Sequence, residues 1–268
     1  MVGGRSLWLV YKHDKESMTM FKYKRPLVFV GSRLDMEPLI EIAEENGYKV
    51  LGILDQFYTG QKIEGIDVIG SELDLHKLDL VEQCDFFVAS YFSGTTNVNN
   101  DNENTYLLRN KRISLVKQLG CNLANLIHPD VEISKTATIG RNIIFFKGTF
   151  VESHVRIGSF SQFLYYSRIA HHSIIGENCV WLPSAGCAGN TIVGDNVVIG
   201  TDVSILKAGN EQTRIGNNVI IGPGLTIFRS VPDNSTVKVD GKIVPNIDFC
   251  HDPCQDIHTV SSLRRAKN

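Results

Sequence analysis

The chain has 268 residues, 43% hydrophobic and 21% charged, with a formal net charge of −2. That length holds one large domain or two ordinary ones of about 100–200 residues, and the composition is that of a globular chain, not a disordered one. The charge balance argues against a nucleic-acid partner, which needs a basic patch to displace counterions. No apolar run approaches the ~20 residues of a membrane span.

Residues 1–24 read as an N-terminal extension. The apolar patch Leu7–Tyr11 lies between Arg5 and Lys12. It is too short for a secretory signal and lacks a small-residue cleavage site. Met18 and Met20 are alternative starts. Six scattered cysteines with no secretory signal imply a reduced, cytoplasmic protein.

Residues 25–124 read as a small Rossmann-like domain. A buried strand, Leu27–Val30, ends at Gly31, and a helix over Leu34–Glu45 closes at Asn46–Gly47. Val50–Leu54 is the next strand and ends at Asp55. Asp67–Ile69 and Asp85–Ser90 are further strands, Ser93–Asn104 is a polar loop, and Thr105–Leu119 has helical spacing up to Gly120. Strands alternating with helices build a parallel sheet.

The second half carries a repeat. From Ile133, every sixth residue is apolar through Ile205, thirteen positions in succession that include Phe145, Phe163, Trp181 and Cys187. Chance would do this roughly once in 10⁵ trials at this composition. The register slips by four residues and resumes at Ile215, Ile221 and Ile227. Glycine follows the apolar residue at Gly140, Gly158, Gly176 and Gly194. A period of six is the hexapeptide repeat of a parallel β-helix, in which three short strands close one triangular coil. The apolar residues point inward and coils stack at about 4.8 Å. The domain spans 125–239, with Lys207–Arg214 as a corner insertion and 240–268 as a tail. The fold class is α/β + β.

Asn125–Ile133 (NLIHPDVEI), Ile169–Gly176 (IAHHSIIG) and Cys187–Gly200 (CAGNTIVGDNVVIG) carry a family resemblance. They resemble the sugar acetyltransferases of the sialic-acid O-acetyltransferase and UDP-4-amino-sugar N-acetyltransferase type. The resemblance implies a left-handed β-helix, a homotrimer, and acetyl-CoA in the groove between neighbouring β-helices. It implies a histidine base, here His171 in I-x-H-x-x-I-G. It implies CoA contacts at Val180, Gly189, Thr201, Gly222 and Pro223. A nucleotide-sugar is implied to contact Gly31, Ser32, Arg33, Asp55 and Gln56. The activity so implied is N-acetylation of a nucleotide-linked amino sugar. An O-acetyltransferase on a sialic-acid-like sugar and a non-catalytic trimeric scaffold are the alternatives.

Histidine, with an ordinary pKa of about 6.5, suits removal of a proton from an attacking amine or hydroxyl. His172 departs from the family, which places a carboxylate beside its histidine. His154 lies 18 residues earlier and should stack on it. The pair reads as a relay, an altered base or a surface stack, without a metal. Gly189 is one coil above His171, where its N–H would meet a thioester oxyanion. Cys187 is inward and reads as core. The family commonly has several glycines after the first strand. Gly31–Ser32–Arg33–Leu34–Asp35 keeps one, and Arg33 would pair with phosphate in compensation. Cys250, His251, Cys254 and His258 match no zinc spacing.

Overall fold

The computed structural model describes residues 24–32, 36–77, 79–90, 105–207, 209 and 212–245. Arg33, the Ser93–Asn104 loop and the Cys250–His258 tail lie outside the described residues.

The first domain is a sheet between two helices. Its strands are β1 (Leu27–Val30), β2 (Val50–Leu54), β3 (Lys62–Ile63), β4 (Ile66–Gly70) and β5 (Asp85–Val88). Their order is β3-β4-β2-β1-β5, with all pairs parallel except β3–β4. Counting only the parallel strands, that is the third-second-first-fourth order of half a Rossmann sheet. Helix α1 (Glu37–Glu45) starts with Pro38 in its first turn, where a missing N–H costs no bond. Helix α2 spans Thr105–Gln118. β1 and β5 are buried on both faces, with the runs LVFV and DFFV apolar except for Asp85. Leu27, Phe29 and Phe87 pack with α1, whereas Val28, Val30, Phe86 and Val88 pack with Ile113 and Val116 of α2. The short β3 strand and the 3₁₀ turn Glu72–Lys77 carry no periodic signal and go beyond the sequence reading.

The second domain is a three-faced parallel β-helix. Face I has inward residues Ile127, Phe145, Phe163, Trp181, Ile199, Ile221 and Val237. Face II has Ile133, Val151, Ile169, Cys187, Ile205 and Ile227, and face III has Ile139, Ile157, Ile175, Val193 and Ile215. The solenoid thus begins one strand before Ile133, at Leu126–Ile127, and ends one strand beyond Ile227, at Ser235–Val237. Ile243–Pro245 pairs antiparallel with that last strand.

The expected aromatic stack is present. Phe145 and Phe163 lie 4.9 Å apart, Phe163 and Trp181 5.8 Å, and Trp181 is fully buried. Phe163→Ala should cost about 3–5 kcal/mol, because the coils on either side cannot collapse into the gap. Chemical denaturation of the variant measures it, and a loss under 1 kcal/mol would mean the prism relaxes.

The glycines that follow the inward residues are not where the corners turn. Gly140, Gly158, Gly176 and Gly194 do not have positive φ. A Cβ on any of them would fall 2.5–2.9 Å from backbone atoms of the next coil, so these glycines permit close stacking. The left-handed turn comes two residues later, at Asn142, Gly148, His154, Phe160, Tyr166, His172 and Asn178, continues every six residues to Asp202, and recurs at Asn218 and Gly224 beyond the insertion. Asn tolerates that conformation better than other side chains do. Asn178, Asn196, Asn218 and Asn234 also form a hydrogen-bonded ladder at 2.8–3.0 Å along the corner between faces III and I.

The α/β domain sits on face I. The outward residues Ile144, Val180, Val198 and Ile220 are buried in one cluster with Leu39, Ile40 and Ala43 of α1. The fully buried Arg109 of α2 bridges the domains. Its Nε donates to Asn178 Oδ1 at 2.8 Å, its Nη2 to the Phe160 carbonyl at 2.6 Å, and its Nη1 to the Ser90 carbonyl. Faces II and III stay open, with Arg168, Thr226, Arg156 and Arg214 exposed.

Candidate functional site

His171 and His172 follow Ile169 at the corner between faces II and III, and both are exposed. The corner borders an open groove of about 750 Å³, lined among others by Glu132, Phe150, Glu152, Ser153 and His171. The His171 backbone N–H donates to Glu152 Oε2 at 2.8 Å. Its Nδ1 lies 3.2 Å from His172 Nδ1, with the rings edge-on at 84°. His172 in turn stacks on His154 of the coil below, centroids 4.8 Å apart. Among the described residues no group of three or more His, Cys, Asp or Glu side chains is placed to hold a metal ion.

Gly189 lies directly against the imidazole. A Cβ there would come 2.4 Å from His171 Cε1 and 2.6 Å from Nε2. The lack of a side chain is what gives the ring its seat. One coil lower, the equivalent N–H is that of His171, which is taken by Glu152. For Gly189 the matching residue is Ala170, whose side chain has no acceptor. The Gly189 N–H has no partner among the described residues.

Glu152 is the residue the sequence reading passed over. It lies 19 residues before His171, one coil plus one residue, which coil geometry alone would have found. Cys187 is buried and its thiol is pushed up by burial; Cys179 is raised to about 12 for the same reason. Neither is a nucleophile near neutral pH.

The cofactor residues inferred from the sequence divide among three places. Gly189 is at the His171 corner. Thr201 and Pro223 lie at the corner between faces I and II, with Gly222 just before Pro223, so face II separates them from His171. Val180 is a correction. It points outward from face I and is fully buried beneath the α/β domain, out of reach of any groove.

At the strand ends of the first domain, Asp55 does not face outward. It is 1% exposed, and its Oδ2 accepts from Ser32 N–H at 2.9 Å, Ser32 Oγ at 2.8 Å and Arg112 Nη2 at 3.1 Å. Its Oδ1 accepts from the Phe57 N–H at 3.0 Å. Arg112 also bonds Glu72 at 2.6 Å and Ser90 Oγ at 2.7 Å, and Glu72 accepts from the Gln56 N–H at 2.6 Å. The guanidinium lies so close to Gly31 that a Cβ there would meet it at 2.3 Å. Asp55 therefore holds the two loops from beneath, and the lone glycine makes room for Arg112. Ser32 and Gln56 remain partly exposed at the rim.

No family model matches the chain. It is 26% identical over 159 residues to a GDP-perosamine N-acetyltransferase of Escherichia coli O157:H7, a match over 59% of this chain and 65% of that protein. The chain thus spans just under two thirds of the curated relative. PerB from Caulobacter crescentus, solved in complex with CoA and GDP-perosamine, superposes with TM-score 0.68 and 25% identity, over 82% of this chain and 97% of PerB. The acetyltransferase domain of PglB from Neisseria gonorrhoeae FA1090, solved with acetyl coenzyme A, gives 0.55 and 25%, over 83% and 99%. WeeI from Acinetobacter baumannii AYE, at 0.67 and 22% over 82% and 99%, shares the fold.

Proposed function

We propose that this chain is a hexapeptide-repeat sugar acetyltransferase, an acetyl-CoA-dependent N-acetyltransferase acting on a nucleotide-linked amino sugar, as its likeness to a GDP-perosamine N-acetyltransferase and to PerB supports. The observation that carries the reading is the His171 imidazole seated on Gly189, with a free peptide N–H beside it and a groove in front. In the reaction the sugar amine attacks the thioester carbonyl and His171 takes the amine proton at Nε2. The Gly189 N–H donates to the oxyanion of the tetrahedral intermediate. The C–S bond then breaks and His171 returns the proton to the CoA thiolate.

Acetyl-CoA binding is supported by the PerB and PglB complexes, which hold CoA and acetyl coenzyme A. A left-handed coil and a cytoplasmic location belong to the same reading. So does a homotrimer, and the placement of the domains argues for it. The α/β domain covers face I of its own chain, whereas His171 stands at the far corner. A neighbouring protomer is what would bring a nucleotide-sugar and the Thr201–Pro223 corner to that histidine. Ser32 and Gln56 are the contacts we assign to the nucleotide-sugar, with Arg33 pairing a phosphate and Asp55 and Gly31 shaping the loops.

Thiol release from acetyl-CoA, assayed with nucleotide-linked amino sugars and with hydroxyl acceptors, tests the activity. The expected result is release with the amines. Release with alcohols only would keep the base and make the chain an O-acetyltransferase; no release would leave a scaffold. Light scattering should give three times the chain mass, and a fully active monomer would overturn the shared groove.

A further inference from the structure

We propose that His172 is the positioning residue of the base: its Nδ1 accepts the His171 Nδ1–H and so leaves His171 Nε2 bare toward the acceptor. The inference rests on His171 being the base named above. Two Nδ1 atoms 3.2 Å apart hold one proton between them, because a neutral imidazole has one donor and one acceptor nitrogen. If the proton sat on His172, His171 would carry its own at Nε2 and have no free lone pair facing the groove. With the proton on His171 Nδ1, Nε2 is free, and the imidazolium formed in turnover donates to a ready acceptor.

The surroundings fix His172 for this task. Its backbone is in the left-handed corner conformation, φ 57°, and its N–H donates to the Ser153 carbonyl at 2.9 Å. Its ring is stacked on His154, whose own N–H donates to Thr136 Oγ1 at 2.9 Å. Of the titratable side chains placed against the pair, His154 packs on His172 and Glu152 accepts from the His171 peptide N–H. His172 is thus held in place by the solenoid repeat itself. No carboxylate adjoins His171 in sequence.

The corner position supplies the variants. Gly148 and Asn178 occupy equivalent corners with φ 73° and 55°, so Gly and Asn both fit the backbone at position 172. His172→Gly removes the acceptor. His172→Asn restores one, since its Oδ1 lies as many bonds from the backbone as Nδ1 does. In ¹⁵N NMR of the imidazoles, wild-type His171 should show Nδ1–H with Nε2 unprotonated, and His172→Gly should lose that preference. In the acetyl-transfer assay His172→Gly should lower kcat about 10- to 100-fold, the scale on which oriented hydrogen-bond partners act. KM for acetyl-CoA should stay unchanged, and His172→Asn should recover most of kcat. An Nε2–H tautomer of His171 in the wild type would overturn the proposal. So would equal kcat for wild type and His172→Gly, or an Asn variant as slow as Gly. If the wild type transfers no acetyl group, the functional reading falls, and the tautomer measurement still decides this one.

Discussion

His171→Ala is expected to lower kcat by about 10²–10⁴-fold, the usual loss when a general base is removed. CoA affinity should change little, because the imidazole stands at the reacting end of the groove and the Gly189 N–H is untouched. Stability should also hold: His171 is exposed, and its backbone bond to Glu152 survives the substitution. Steady-state kinetics on amine and alcohol acceptors, beside calorimetric titration of CoA, separates these terms. A kcat within twofold of wild type would remove His171 from the mechanism. A large loss of CoA affinity would instead make it a binding residue.

The sequence shows the solenoid because its information is periodic. Each inward residue, from Ile133 to Ile227, repeats the same physical demand at a fixed interval. The covered face was legible by the same logic. Ile144–Phe145, Val180–Trp181, Val198–Ile199 and Ile220–Ile221 are apolar on both sides of the strand, which marks a face buried twice. The same double run sets Val180 beneath the α/β domain, where the family resemblance implies a CoA contact. The turn-forming position was also written in the chain, as Asn142, Asn178, Asn190, Asn196 and Asn218, each three residues after an inward one.

What stayed hidden depends on contacts across elements. Asp55 and Arg112 are 57 residues apart, on a strand end and a helix, and no period links them. A carboxylate closing a strand in a Rossmann-like sheet reads as a ligand acceptor by position alone. Only the packed structure reveals that a buried arginine has claimed it.

Gly189→Ala separates the site from the fold most cleanly. Gly189 does not have a positive φ, so alanine brings no backbone strain. The added Cβ meets three atoms of the His171 ring, at 2.4, 2.6 and 2.8 Å, and no backbone atom among its nearest contacts. An exposed imidazole can swing away, so Tm should move little. Once it swings, Nδ1 leaves His172 and Nε2 leaves its place before the acceptor. A displacement of about 1 Å at a reacting centre costs on the order of 10²-fold. We therefore expect kcat to fall about 100-fold with the melting temperature nearly unchanged. A crystal structure of the variant should show the His171 ring rotated out of its seat. Full activity in Gly189→Ala would mean that the base works from another position, and that the seat on Gly189 is not the reactive one.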